Sequence, residues 1–184
     1  MISKVLAGLI LVLISPFLLI LALVIILDDG FPVLFKQNRI GINNSTFTII
    51  KFRTMKINTP KNIATHLLNN PQRFNTFLGK YFRKFSLDEL PQFYNILIGD
   101  MVFIGPRPPL PNQFDLITLR KQNNLEGLKP GITGWAQVNG RDDISIEEKV
   151  RLERYYFENK SIYMDVKIIL LTLFRVVITK GVSH

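Results

Sequence analysis

"VLAGLILVLISPFLLILALVIIL", residues 5 to 27, decides how this chain folds. Its 23 residues carry no charge. As a helix rising about 1.5 Å per residue they reach roughly 35 Å, enough for the hydrocarbon core of a bilayer. The run is too long for a cleaved signal peptide, and no small-residue cleavage site follows it. Ser15-Pro16 sits at its centre. Pro16 removes one backbone donor and crowds the preceding turn, and the Ser15 hydroxyl can serve a carbonyl freed in this way. Each half is roughly 16 Å long, the depth of one leaflet. Two arrangements fit: a kinked single span, or a re-entrant hairpin that enters and leaves on one face. Lys4 is the only cationic side chain ahead of the run, so the positive-inside rule puts the body of the chain in the cytoplasm either way.

The 184 residues include 23 Lys and Arg against 14 Asp and Glu, a formal charge of +9. That excess calls for an anionic partner: acidic lipid, a phosphate-bearing substrate or nucleic acid. Nucleic acid is disfavoured, because the charge is dispersed and no recognition motif accompanies it. The absence of cysteine excludes disulfides, thiolate zinc sites and cysteine nucleophiles. His66 and His184, the only histidines, lack ligand-like spacing, which argues against a His-based metal site or a Ser-His-Asp triad.

Past the turn-like "DDGFP" (28–32) the chain reads as one domain without repeats. "FTIIKFRTM" (47–55) alternates as a strand, with Phe47, Ile49, Lys51 and Arg53 on one face. Its two cations are a solvated strand face or a phosphate clamp. Residues 56–79, broken by "NTP" and "NNP", predict loop and short helix with a mobile middle. Met101–Ile104 predicts a short strand, and the Pro-rich run after it cannot continue a regular element. "GLKPGITGWAQVNGR" (127–141), with four glycines, predicts a shaped loop. Ile146–Glu158 reads as a charged surface helix. Ile162–Ile178 is apolar but interrupted by Asp165, Lys167 and Arg175, which predicts an amphipathic helix on the domain or in the membrane interface.

"KFSLDELPQF" (84–93) supports two readings. Ser86-Leu-Asp-Glu89 fits a capping box, with Asp88 favouring the helix dipole. Pro91 then falls beyond the first turn, where it costs stability. If Asp88 is itself the cap, Pro91 is tolerated, and an ionised carboxylate at a helix start can be a nucleophile or hold a divalent ion.

"KFRTM" (51–55), "SLDELPQFYNILIGDMVFIGPRPPLP" (86–111) and "KPGITGWAQVNGR" (129–141) follow in this order behind the Ser-Pro-broken N-terminus. Together they resemble the bacterial sugar transferase family, the monotopic phosphoglycosyl transferases, over nearly the whole chain. The resemblance implies a small mixed α/β (α+β) membrane-associated domain: a re-entrant helix over residues 1–28, then a catalytic domain with amphipathic interfacial helices over residues 29–184. The length matches the family's minimal single-domain enzymes, and Ser15 and Pro16 form the break of the hairpin. The implied setting is the cytoplasmic face of the bacterial inner membrane.

The implied reaction has two steps. A UDP-sugar gives its sugar-1-phosphate to Asp88, the family's nucleophile, beside Glu89; UMP leaves, and undecaprenyl (polyprenol) phosphate takes the phosphosugar. Mg²⁺ is the implied cofactor, near the pair and with Asp88 as ligand. Membrane phospholipids and downstream glycosyltransferases are the further partners. Arg107, between prolines, offers a planar fork suited to a phosphate. Lys51, Arg53 and Arg83 are candidates for the same electrostatics. Gln137, Asn139 and Arg141 line the donor site or stabilise the Gly-rich loop, and Trp135 is core or interface packing. Phe85, residues 69–79 and Glu153 depart from the family pattern, which weakens any role for Arg73 or Glu153. Two other classes remain open: a non-catalytic membrane-bound scaffold, and a membrane-attached phosphohydrolase using the same Asp-Glu pair.

Overall fold

Helix α1 runs from Ile2 to Asp29 and stays helical through Pro16. The carbonyl that Pro16 cannot serve is that of Val12, and the Ser15 hydroxyl donates to it at 2.8 Å. The dipeptide thus fills its own gap in the ladder. α1 is long and apolar enough to cross a membrane, and little of it is buried against the rest of the chain. It is therefore no ordinary core helix. The computed structural model describes residues 1–60, 70–140 and 143–178.

The described chain divides into two compact units, Met1–Gln37 with Thr48–Ile98, and Asn38–Phe47 with Gly99–Ile178. α1 belongs to the first. Strands β1 (Leu34–Ile40) and β2 (Thr46–Phe52) form a two-stranded sheet within which the chain passes from one unit to the other. β1 carries no alternation to announce it: Leu34 is exposed while Gln37 and Arg39 are half-buried.

In the first unit, Leu21 and Ile25 of α1 pack with Phe52 of β2 and Phe82 of α2 (Gly79–Lys84). Phe52 and Phe82 meet edge to face at 6.3 Å between centroids. Leu87 and Leu90 join this cluster from a 3-10 run, Leu87–Gln92, which continues as α3 (Phe93–Ile98). The start of α1 meets the far end of α3, where Lys4 Nζ donates to the Ile98 carbonyl at 3.1 Å. Residues 61–69, in the middle of the stretch expected to be mobile, lie outside the described residues; Pro71–Phe74 forms the short 3-10 turn beside them.

In the second unit, β3 (Val102–Ile104) and β4 (Gly131–Thr133) pair in parallel, Val102 opposite Gly131 and Ile104 opposite Thr133. The expected glycine-rich loop is therefore a strand followed by a short helix, α5 (Trp135–Asn139). The glycines serve backbone contact: a Cβ on Gly131 would lie 2.1 Å from Gly105 N, and one on Gly134 2.2 Å from Gly105 O. α4 (Phe114–Gln122) supplies Leu116 to a cluster with Leu125 and Val150. α6 spans Ile146–Glu158 as expected, capped by Ser145, whose side chain accepts from Glu148 N–H.

α7 spans Ile162–Ile178. It buries Met164 and Ile168 against Val138 and Tyr156, and leaves Val166, Ile169, Leu170, Leu173 and Phe174 exposed. Two of its polar interruptions turn to partners. Asp165 accepts from Tyr156 Oη at 2.6 Å, and Lys167 Nζ lies 5.2 Å over the Trp135 ring.

Gly131→Ala is expected to cost about 3 kcal/mol, because the added methyl meets backbone rather than a yielding side chain. Thermal unfolding of the detergent-purified protein would measure it.

Candidate active site

Asp88 and Glu89 are the second and third residues of the 3-10 run, both half-buried. Neither capping arrangement forms. Ser86 occupies the cap position in left-handed backbone, φ 54°, and its side chain makes no capping bond. Such a conformation costs a residue with a Cβ roughly 1–2 kcal/mol, and it stands directly before the carboxylate pair. Glu89 takes the Lys51 ammonium at 2.8 Å instead of reaching back to Ser86. Their side chains are 12% and 14% exposed, so this pair is screened far less than a surface one. Pro91 lies inside the 3-10 run, whose tighter winding ends before α3 takes up α-helical geometry.

What brings Lys51 opposite Glu89 is Asn95, a fully buried residue of α3. Its Oδ1 accepts from Ile50 N–H at 3.1 Å, and its Nδ2 donates to the Thr48 carbonyl at 2.8 Å. The side-chain amide imitates a neighbouring strand and fixes α3 along β2. Lys51 is the next residue along. Asn95 escaped the sequence reading, although a lone amide within "FYNILI" is the kind of residue that must find a buried partner.

Arg53 does not project with Lys51, contrary to the sequence expectation. It is 5% exposed, and its guanidinium serves the end of α1. Nε donates to the Pro32 carbonyl at 2.6 Å, Nη2 to the carbonyls of Asp29 at 2.9 Å and Gly30 at 2.7 Å, and Nη1 to the Asp29 carboxylate. A cation on the last carbonyls of a helix satisfies acceptors that have no intrahelical partner. With its donors so committed, Arg53 is a clamp on the end of the helix. Arg83 lies half-buried in the last turn of α2, shortly before the carboxylate pair.

In the second unit, Arg107 sits half-buried on the Pro-rich connector, which is held by its carbonyls. Arg120 Nη2 donates to Arg107 O at 2.9 Å, Arg39 to Pro108 O at 3.1 Å, and Ile40 N–H to Pro109 O at 3.0 Å. Arg120 is itself held by both oxygens of Glu153, at 2.6 and 2.8 Å, with Glu153 3% exposed. Glu153 thus has a structural task, and Arg120 was missed because its partner lies 33 positions away.

Gln137 is half-buried, and both polar atoms of its amide are buried without a partner among the described residues. Asn139 is exposed and donates to the Trp135 carbonyl at 2.7 Å, steadying α5. Arg141 lies outside the described residues. Burial, then the bond to Asp165, raises the Tyr156 hydroxyl well above the ordinary phenol range. It stays protonated as a donor and offers no base.

Comparison with known proteins adds a consistent result. Residues 1–179 match the family profile described as bacterial sugar transferase. The "Uncharacterized sugar transferase EpsL" of Bacillus subtilis (strain 168) is 42% identical over 170 residues, covering 92% of this chain and 82% of that one. The "UDP-glucose:undecaprenyl-phosphate glucose-1-phosphate transferase" of Escherichia coli (strain K12) is 38% identical over 96% of this chain. The "UDP-N-acetylgalactosamine-undecaprenyl-phosphate N-acetylgalactosaminephosphotransferase" of Aeromonas hydrophila is 40% identical over 86% of it. The chain spans only 39% and 38% of the length of these last two.

Replacing Asn95 by Leu should destabilise the protein by about 2 kcal/mol, since two part-buried backbone groups of β2 lose the partner that the fully buried amide supplies. Denaturant titration against wild type tests this.

Proposed function

Because the chain belongs to the bacterial sugar transferase family, we propose that it moves a sugar-1-phosphate from a UDP-sugar to undecaprenyl (polyprenol) phosphate, releasing UMP. One observation carries the reading. Leu87 and Leu90, which bracket Asp88 and Glu89, pack in the same cluster as Leu21 and Ile25 of the apolar helix α1. Carboxylates able to meet a water-soluble nucleotide sugar are thereby held on the element that meets the membrane helix, along which a lipid acceptor would arrive.

In the proposed first step an Asp88 oxygen attacks the phosphorus that bears the sugar. The bond from that phosphorus to the bridging oxygen breaks, and UMP departs with the electron pair. In the second step an oxygen of the acceptor phosphate attacks the same phosphorus, and the Asp88 carboxylate is regenerated. Splitting one displacement into two is the use of a covalent nucleophile. Glu89, the residue after Asp88, holds the Lys51 ammonium, and a fixed cation lowers the cost of charge developing on phosphate. Arg83 is assigned to the same electrostatics. Within the second unit, Arg107 on its tethered connector is the proposed phosphate ligand, and the unpaired Gln137 amide the proposed polar contact to the donor.

Asp88, a hard oxygen donor, fits Mg²⁺, an ion that takes one or two carboxylates and fills its shell with substrate phosphates and water; when bound it supplies charge neutralisation at the leaving phosphate. The proposed setting is the cytoplasmic face of the bacterial inner membrane. α1 enters and leaves on one face, with Ser15-Pro16 at its deepest point, and the outer face of α7 lies in the interface. The bond from Lys4 to Ile98 supports this, since it keeps the start of α1 beside the unit that carries the carboxylates. Glycosyltransferases that extend the lipid-linked sugar are the expected downstream partners.

With Mg²⁺ and a panel of UDP-sugars, the purified protein should release UMP only when undecaprenyl phosphate is present beyond the first turnover. Asp88→Asn should lower turnover at least a thousandfold and abolish a phosphosugar mass adduct, with unfolding temperature unchanged. Continuous UMP release without acceptor would identify a phosphohydrolase, and no release with any donor a scaffold. The chain has no cysteine, so Ile2→Cys provides a single thiol for topology. It should react with membrane-impermeant reagent from the cytoplasmic side in wild type. Adding Pro16→Ala, which restores the backbone donor, should move it to the opposite side; labelling unchanged by that second substitution would show that Pro16 does not set the topology.

A further inference from the structure

α2 and the residues beside it present a surface that the proposed reaction does not use. Phe77, Tyr81 and Phe85 recur every four residues, and they are 72%, 48% and 43% exposed. Lys80 and Lys84, also four apart and exposed, form the adjoining stripe. Lys80 Nζ lies 5.2 Å from the Phe77 ring centroid and 5.0 Å from that of Tyr81, and Lys84 Nζ 5.6 Å from that of Phe85. Among the described residues neither lysine is paired with a carboxylate. The opposite side of α2 is occupied: Phe82 is 5% exposed and packs with Leu21 and Ile25 of α1.

The depth of this surface follows from α1. Its apolar run ends at Leu27, and Asp28 and Asp29 are the first charges after Lys4. Asp28 Oδ2 accepts from the backbone N–H of Leu78 at 3.0 Å, at the cap of α2. α2 is therefore joined to α1 where the helix leaves its uncharged segment. Both carboxylates there have local partners, Asp28 with Leu78 N–H and Asp29 with Arg53, while Lys80 and Lys84 keep their charge outward.

We infer that the Phe77–Phe85 surface is a contact for anionic phospholipid headgroups, its aromatic rings lying at headgroup level and Lys80 and Lys84 meeting lipid phosphates. The inference rests on the proposal that α1 is in the membrane, and adds a lipid preference to it. Exposed aromatics concentrate at membrane interfaces, lysines extend their ammonium groups from apolar surfaces to polar ones, and each cation near an anionic leaflet strengthens the contact roughly fivefold. A neutral bilayer offers the rings a place but gives the lysines no net charge to meet.

The test is hydrogen exchange on the full chain in nanodiscs of phosphatidylcholine alone or with phosphatidylglycerol. Peptides covering residues 76–86 report on the surface, and peptides within residues 5–27 report on α1. Exchange over 76–86 should slow at least fivefold when phosphatidylglycerol is present. The difference should vanish at high salt and in the K80Q/K84Q variant, and persist in K80R/K84R, with α1 protected throughout. Equal exchange in the two lipids with α1 protected would overturn the inference and leave the membrane reading standing. So would a lipid dependence that survives high salt or K80Q/K84Q. Rapid exchange of α1 itself would overturn both. The salt arm uses wild type alone, so a variant that fails to fold does not decide the matter.

Discussion

The two hydrogen bonds of Asn95 to the backbone of β2 are the constraint on which the carboxylate site depends. A two-stranded sheet leaves backbone groups along its outer edges, and a buried one cannot go unpaired. Asn95 meets that requirement with a side chain, and in doing so sets α3 and the 3-10 run before it at one position along the strand. Lys51 then falls within reach of Glu89, while Asp88 stands between Leu87 and Leu90, which face the α1 cluster. Moving the amide by one residue would exchange the two faces of the strand and take Lys51 away from the pair. The catalytic arrangement we propose is thus a consequence of how a sheet edge is satisfied.

The second unit is organised by close backbone approach. Gly105, Gly131 and Gly134 let β3, β4 and the start of α5 come nearer than any Cβ would allow. The Pro-rich run that follows β3 has few donors, but each of its carbonyls can still accept, and those of residues 107–109 receive bonds from Arg120, Arg39 and Ile40. A segment unable to form regular structure is made rigid by donors from elsewhere in its unit. The buried Arg120–Glu153 pair belongs to this task, for an isolated charge at that depth would be costly.

α1 shows how an apolar helix is ended. Its last carbonyls and the Asp29 carboxylate converge on Arg53, and Asp28 binds the cap of α2. Together these contacts fix the direction in which the chain leaves the helix. They also place the aromatic and lysine stripes of α2 beside the point where apolar sequence gives way to charge.

Length and local pattern alone determined a good part of this protein. The uncharged run 5–27 had to be a helix, and the Ser15 hydroxyl had a carbonyl to serve. α6 and α7 have the bounds read from periodicity, because helix faces and ends depend on residues within a turn of one another. The three ordered motifs were enough for the family, and the Asp88-Glu89 pair was visible as a candidate. What tertiary structure decided is which local option survived. Ser86 and Glu89 spell a capping box, but a buried ammonium 38 positions upstream outcompetes a backbone amide for the Glu89 carboxylate. Arg53 shares a strand face with Lys51 on paper, yet the carbonyls at the end of α1 claim it. β1 shows no apolar alternation because polar Gln37 and Arg39 are half-buried while Leu34 is exposed, and Gly131 and Gly134 of the expected loop serve a parallel strand pair and the helix after it. Each of these outcomes is a competition between a near partner and a distant one, settled by burial and charge that only the folded chain brings together.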